Sequence, residues 1–324
     1  MRARVLVTGG LGFIGVHIAR RLIETHSELQ LTIVDNLSST QLDYSDLTGH
    51  AEIRIDDMRN VATHSVFDEI YHLASPVGSV GILEQSGMIA GDIVSLAEKA
   101  AELAEASGAR LTYVSSSEVY GRDGSHDESA PQIVPCRRGP RMEYALGKLT
   151  AEHLLLNRAA SRGLDLRIAR PFNAIGEWQS SALGFVVAGF FEAALRGDPI
   201  TVYGDGRQRR AFCHVADIAA GLVAVHERGL PDHIYNVGNR DNIVTIWQLA
   251  EMIRDLCRSD SDIVLVDPVE IHGPDYIEAF DKIPDTRKVA EHTGWEPQVA
   301  LPDALRRVHQ HYLERQLSPT SAHR

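Results

Sequence analysis

Cysteine is scarce. The 324 residues hold three, Cys136, Cys213 and Cys257, far apart in the chain. That spacing makes neither a metal motif nor a disulfide framework, and it fits a reducing cytoplasm. No metal is expected. Long apolar runs are missing too. The longest mostly apolar stretch, Leu183 to Leu195, is interrupted by Glu192, is too short to span a bilayer and reads as a helix. Positive charge is in deficit. A net charge of −12 argues against nucleic-acid binding or docking on an anionic membrane. It leaves room for a small anionic substrate, since a site needs only a few local Arg or Lys. The chain enters an apolar strand at Val5, so no secretory leader is expected. Internal repeats and low-complexity segments are absent. With 44% hydrophobic and 23% charged residues, the composition is that of an ordinary soluble globular protein of one large or two modest domains.

What is present starts at Thr8-Gly9-Gly10-Leu11-Gly12-Phe13-Ile14-Gly15. The run Val5-Leu6-Val7 before it reads as a buried strand, and Phe13–Ile23 after it has helical periodicity. The glycines therefore lie on a strand-to-helix turn. Gly9 lets the chain turn sharply, Gly12 clears the backbone where a pyrophosphate must approach, and Gly15 lets the helix pack close to the strand. The N-terminus of the helix, at Phe13 and Ile14, offers free N–H groups to phosphate. The next apolar run, Leu31–Val34, ends in Asp35, about twenty residues beyond Gly15, where a carboxylate meets a ribose 2′-hydroxyl. A carboxylate there repels a 2′-phosphate, so NAD is favoured over NADP.

Further strands are expected at Ile53–Ile55, Ile70–Ala74, Arg110–Ser115 and Leu164–Ala169, alternating with helices at Asp92–Ser107 and Arg141–Ser161. This rhythm predicts an α/β fold, a Rossmann-type doubly wound parallel sheet. Ligands in such sheets lie at the carboxyl ends of the strands. There stand Asp57, a candidate for the adenine amino group, Ala74-Ser75, the cluster Ser115–Tyr120, and Pro171-Phe172-Asn173. Gly124–Gly139 reads as a loop. Past Asn173 come a helix (Gly184–Arg196), a strand (Ile200–Tyr203), the basic run Arg207–Arg210, Ile234–Val237, a helix (Ile246–Cys257), a strand (Ile263–Val266), a short helix near Asp285–Thr293 and a last one from Pro302 to Glu314. This predicts a smaller C-terminal α/β substrate domain. The polar residues 317–324 read as a flexible tail. His17, Cys213 and His214 read as structural.

Tyr144 and Lys148 are four apart on a helix and share a face. A lysine beside a tyrosine, near a nicotinamide cation, stabilises phenolate, and a phenolate can take a hydroxyl proton as hydride leaves the carbon.

With these residues on view, the chain resembles the extended short-chain dehydrogenase/reductase family, the NAD-dependent nucleotide-sugar epimerases, dehydratases and decarboxylases. The resemblance is carried by Thr8–Gly15, Asp35–Ser38, His72-Leu73-Ala74, Ser115–Gly121, Tyr144 with Lys148, Arg170–Asn173, Thr201–Gly206 and Gly294-Trp295-Glu296-Pro297. It implies that Tyr144 is the base at the sugar C4 hydroxyl, that Lys148 holds the nicotinamide ribose, and that Ser116 bonds the C4 oxygen. Cofactor contacts fall to Gly9, Gly12, Phe13, Ile14, Gly15, Asp35, Asn36, Asp57, Met58, Leu73, Ala74, Ser75, Tyr144, Lys148 and Pro171. Substrate contacts fall to Ser75, Pro76, Glu118, Arg141, Asn173, Val202, Tyr203, Arg210 and Lys282. The NAD-binding domain would comprise residues 1–172 with about 211–240, and the nucleotide-sugar domain about 173–210 with 241–316. Family members pair through the helices matching Asp92–Ser107 and Arg141–Ser161, so a cytoplasmic homodimer is expected.

Within the family, Ser117 stands where the dehydratases carry an acidic Asp, which disfavours dehydration. Glu118 is unusual for a plain epimerase. Ser117-Glu118, His72–Pro76, Gly139-Pro140-Arg141 and Gln208–Phe212 look like UDP-glucuronate decarboxylases. The implied reaction oxidises C4 of UDP-glucuronate, loses CO₂ from the β-keto acid, and yields UDP-xylose and/or UDP-4-keto-pentose. In it Ser117 and Glu118 shape the C5 region. The sequence departs from that pattern at Ala174–Gln179 and in Val77–Gly87, and Lys282 replaces an Arg that would grip bidentately. A UDP-hexose 4-epimerase, then a 4,6-dehydratase, are the alternatives within enzymes. A non-catalytic nucleotide-binding regulator is the alternative outside them, and the intact trio Tyr144, Lys148 and Ser116 argues against it.

Overall fold

The computed structural model describes residues 2–26, 28–39, 42–76, 86–121, 126–130, 132, 139–272 and 281–317. The sequence readings on Cys136, on residues 77–85, on most of the 124–139 loop and on residues 318–324 lie outside these.

In chain order the strands are β1 (Ala3–Thr8), β2 (Leu29–Asp35), β3 (Ala51–Ile55), β4 (Glu69–His72), β5 (Arg110–Val114), β6 (Leu166–Pro171), β7 (Ala174–Ile175), β8 (Ile200–Tyr203), β9 (Arg209–Ala211), β10 (Cys213–His214), β11 (His233–Val237), β12 (Ile243–Thr245), β13 (Ile263–Val266) and β14 (Asp281–Lys282). The helices are α1 (Phe13–Thr25), α2 (Ile89–Ser107), α3 (Pro140–Arg162), α4 (Val186–Arg196), α5 (Val215–Arg228), α6 (Ile246–Cys257), α7 (Pro268–His272), α8 (Arg287–Thr293) and α9 (Leu301–Leu317).

Seven parallel strands form one sheet in the order β11-β6-β5-β4-β1-β2-β3. Alternation along a strand distributes its apolar residues to two faces. Val5 and Val7 of β1 join α1 and α5 in one core, while Leu6 joins α2 and α3 in the other. The apolar stripe of α2 is spent on that second core: Ile93, Leu96, Ala97, Ala100 and Leu103 are buried. A third core, from α4, α6, α9, β8 and Phe212, lies apart from the sheet. Around it stand the pairs β13-β8 and β10-β7 and the triple β12-β9-β14.

The strand order reverses between β1 and β4, and the crevice above that point is where such sheets take ligands. Gly9 sits there at φ +66°, and a Cβ on it would lie 2.7 Å from the Ala74 nitrogen. A Cβ on Gly15 would lie 2.2 Å from the Gly9 carbonyl oxygen. Both glycines are therefore required by close backbone contact.

Besides the short strands β7, β9, β10, β12 and β14 and helix α7, which the pattern does not single out, two elements differ from the sequence reading. The strand expected to run to Ala74 ends at His72, because Leu73 and Ala74 turn away into the crevice; Leu73 N still donates to Thr8 O at 3.0 Å. Helix α5 was not separated by its pattern, since it is buried almost all round, including Val215, Ile218, Leu222, Val225 and His226. Without a polar stripe there is no amphipathic signal.

Replacing Gly15 by Ala forces α1 off the turn. Its expected cost is about 1–3 kcal/mol of stability, read as a lowered urea midpoint with an unchanged slope.

Candidate active site

The site is built on the carboxyl ends of β1, β2, β4, β5 and β6. The first turn of α1 begins at Gly12, which has extended φ/ψ and no side chain to cap it. The N–H groups of Phe13 and Ile14 thus have no intrahelical acceptor. A Cβ on Gly12 would meet only the Gly9 oxygen, at 3.3 Å, so this face of the loop is open. Beside it, the Asp35 carboxylate accepts from Leu11 N at 3.0 Å and Leu37 N at 2.8 Å. An open glycine cradle, a helix N-terminus and a fixed carboxylate together fit a dinucleotide.

The rim residues are placed as follows. Asn36 is exposed and its Oδ1 accepts from Ser38 N at 3.0 Å. Asp57 caps a single turn at Met58–Asn60, and Arg59 binds its carboxylate at 2.6 Å, so the residue expected at adenine is also an ion-pair partner. Met58 is buried beneath it. Ser75 Oγ donates to Pro76 O at 3.1 Å. Thr8 Oγ1 lies 2.7 Å from His72 Nδ1. Burial, with Lys148 nearby, pushes the His72 imidazole down to about 3, so it is neutral.

Tyr144 and Lys148 are buried on α3 against the end of β5. Lys148 Nζ donates to Val114 O at 2.9 Å and lies 5.8 Å from the centre of the Tyr144 ring. Burial pushes the ammonium down to about 7, against the pull of Glu152. Burial also pushes the Tyr144 phenol up, offset in part by a hydrogen bond with Ser116 and reinforced by the Glu118 charge. The sequence argument had the lysine lowering the phenol; in this structure burial raises it. Ser116 Oγ accepts from Glu118 N at 3.2 Å, and Ser117 is buried next to it.

Glu118 receives two cations. Lys282 Nζ donates to it at 2.5 Å, and Arg141 Nη2 lies 3.4 Å away. Burial alone would raise this carboxyl, but Lys282 and Arg141 outweigh it and hold it far below the usual carboxylate range. Lys282 itself is pushed down by burial, with Glu118 opposing. Lys282 pairs in register with Arg210, because β14 runs alongside β9. Asn173, in the left-handed region at φ +37°, donates to Ala211 O at 2.9 Å and Lys282 O at 3.2 Å. It thereby ties the end of β6 to the β9–β14 pair. Pro171 ends β6 opposite Val237. Tyr203 ends β8, whereas the Val202 side chain is buried in the third core, so only its backbone can meet a ligand.

Sequence reasoning missed Glu152 and the role of Arg170. Both side chains are buried, and Arg170 binds both carboxylate oxygens of Glu152. The four-residue step from Lys148 to Glu152 was the available signal. Among the described residues, no group of three His, Cys, Asp or Glu side chains could hold a metal ion. No helix among them is long and apolar enough to cross a membrane.

Residues 5–238 match the model of the NAD dependent epimerase/dehydratase family. The chain belongs to this family. It is an enzyme family, and its cofactor is NAD. UDP-glucuronic acid decarboxylase 6 of Arabidopsis thaliana is 33% identical over 314 residues, covering 93% of this chain and 86% of that one. UDP-N-acetyl-alpha-D-glucosaminuronate decarboxylase of Bacillus cytotoxicus is 30% identical over 97% of this chain and 99% of its own. Among solved structures, UDP-N-acetylglucosamine 4-epimerase of Methanobrevibacter ruminantium, in complex with UDP-N-acetylmuramic acid, superposes with a TM-score of 0.84 at 27% identity, covering 97% of this chain and 100% of that one.

The buried lysine yields a test of the site. Unfolded, its amine titrates at 10.5; folded, at about 7. Between these values the unfolded chain holds the extra proton, so stability rises with pH, and below the lower value the handicap is complete. Lys148→Met is therefore expected to stabilise the protein at about pH 6, on the order of a few kcal/mol, and to lose that advantage as pH climbs toward the unfolded value. Urea denaturation at the two extremes measures it.

Proposed function

We propose that this enzyme decarboxylates UDP-glucuronate through a 4-keto sugar, giving UDP-xylose and/or UDP-4-keto-pentose. The observation that carries the reading is Glu118 with Lys282 and Arg141, set beside Ser116 and Tyr144. One carboxylate with two cations makes a locally positive, half-buried patch, suited to a sugar that bears its own carboxylate. Two decarboxylases among the similar proteins support it.

The residues divide the work by position. Gly9, Gly12, Phe13, Ile14 and Gly15 cradle the pyrophosphate of the dinucleotide. Asp35 and Asn36 take the adenosine ribose, Asp57 and Met58 the adenine, and Leu73, Ala74, Ser75 and Pro171 line the nicotinamide side. NAD, when bound, supplies a hydride acceptor and donor at C4 and a positive ring charge. Tyr144 takes the C4 hydroxyl proton, Ser116 bonds the same oxygen, and Lys148 holds the ribose while adding positive charge beside the phenol. The C5 carboxylate, now β to a ketone, leaves as CO₂, its electron pair passes into the ketone, and the resulting enolate takes a proton at C5; return of the hydride to C4 would give UDP-xylose, and release before that return UDP-4-keto-pentose. Glu118, Ser117, Lys282 and Arg141 shape the C5 pocket; Ser75, Pro76, Asn173, Val202, Tyr203 and Arg210 position the sugar and its diphosphate. Residues 1–172 with about 211–240 form the NAD-binding unit, and two copies pair through α2 and α3, which sedimentation would show as a dimer mass.

A second reading, a 4-epimerase of UDP-hexoses, is favoured by the solved epimerase of the same fold.

The test is incubation with UDP-glucuronate and NAD, followed by mass analysis. A nucleotide sugar lighter by CO₂ is expected, and its oxidation state distinguishes the two products. Unchanged UDP-glucuronate with interconversion of UDP-glucose and its 4-epimer would establish the second reading. Tyr144→Phe should lower turnover about 10²–10⁴-fold with the fold intact by circular dichroism.

A further inference from the structure

Tyr144, Lys148 and Glu152 follow one another at four-residue spacing along α3 and share a face. Lys148 thus stands between a phenol and a carboxylate. Ammonium and carboxylate at this spacing attract, and more strongly out of water. Yet Lys148 donates to Val114 O at 2.9 Å. Both oxygens of Glu152 are taken instead by Arg170 of β6, Nε at 2.9 Å and Nη2 at 2.5 Å. The two side chains are each 1% exposed. The guanidinium is fixed further over the Tyr120 ring, 4.7 Å from its centre, and the Tyr120 hydroxyl donates to Asn236 Oδ1 at 2.8 Å. Its Nη1 is buried without a hydrogen-bond partner. A staple between helix and strand gains little from such a pair, since apolar residues of similar volume commonly do as well or better.

We propose that Arg170 is a positioning residue that acts through Glu152: by holding both of its oxygens, it keeps that carboxylate from capturing Lys148 and leaves the ammonium between Val114 and Tyr144. The titratable groups around Lys148 are Tyr144 and Glu152 on α3, Tyr113 on β5 with its ring centre 5.1 Å away, and neutral His72 on β4. Among these Glu152 pulls the lysine toward its charged form. Arg170 cancels part of that pull. The inference rests on Lys148 being the partner of Tyr144 and not on which sugar is bound.

The chain has only four lysines, Lys99, Lys148, Lys282 and Lys288. Selective ¹³C-lysine labelling of the purified protein with NAD added therefore gives a spectrum in which Lys148→Arg assigns the Lys148 signal. Arg170→Lys keeps the charge but loses the two-point grip. In it Lys148 is expected to titrate roughly one pH unit higher, and turnover of UDP-glucuronate to fall about 10–100-fold. Glu152→Met with Arg170→Met removes both charges. There the lysine should titrate at or below its native pH, and turnover should return to within about threefold of native. Should Arg170→Lys fail to fold, Glu152→Gln is read in its place, with Lys148 titrating lower. Unchanged titration in the folded single variant, or a folded double variant as inactive as Arg170→Lys, overturns the proposal. If the native protein leaves UDP-glucuronate untouched, the decarboxylase reading fails and the titration still decides this one.

Discussion

Two backbones meet almost without clearance where the strand order reverses, Gly9 against Ala74, and the reacting end of the sheet depends on that contact. It holds the phosphate-binding turn and the end of β4 in one wall. Thr8 reinforces it from below, bonding the His72 ring and lying 3.5 Å from Ala74 N. Beside that wall β5 pairs along β4, and Lys148 of α3 bonds the carbonyl at the end of β5. The open face of the turn and the buried Tyr144 consequently share one crevice.

Around this wall the chemistry is a contest between desolvation and charge. Lys148 and Lys282 are both buried, and burial weakens both as cations. Lys282 is compensated by direct contact with Glu118. Lys148 donates to a carbonyl oxygen and lies over the Tyr113 and Tyr144 rings, while the Glu152 carboxylate is held elsewhere by a bidentate guanidinium. Two lysines in similar surroundings are thus set to different tasks, one neutralising a carboxylate, the other kept close to its switching point.

The large sheet and most of its site were legible because the signals are local. A glycine turn, an Asp at a strand end and a helical pair need only neighbours in sequence. Helix α6 came out with its observed ends, since Thr245 and Gln248 form a capping box. What failed was non-local. The basic run ending in Arg210 carries β9, which exists because it pairs with β12 and β14. Helix spacing offered a signal for Glu152, four residues past Lys148, that went unused, and it gives none for its partner Arg170, which arrives from β6.

The position of β11 has a consequence for how the chain is made. β6 lies inside the sheet only because β11 pairs along it, in register from Arg167–His233 to Pro171–Val237. Between the two strands the ribosome must still add residues 172–232, which include β7 to β10 and α5. During that interval β6, which buries Leu166, Ile168 and Ala169 in the finished sheet, is a bare edge offering unpaired N–H and C=O groups. A nascent or truncated chain ending before β11 therefore leaves β6 as an open sheet edge, the kind of margin that pairs with other chains.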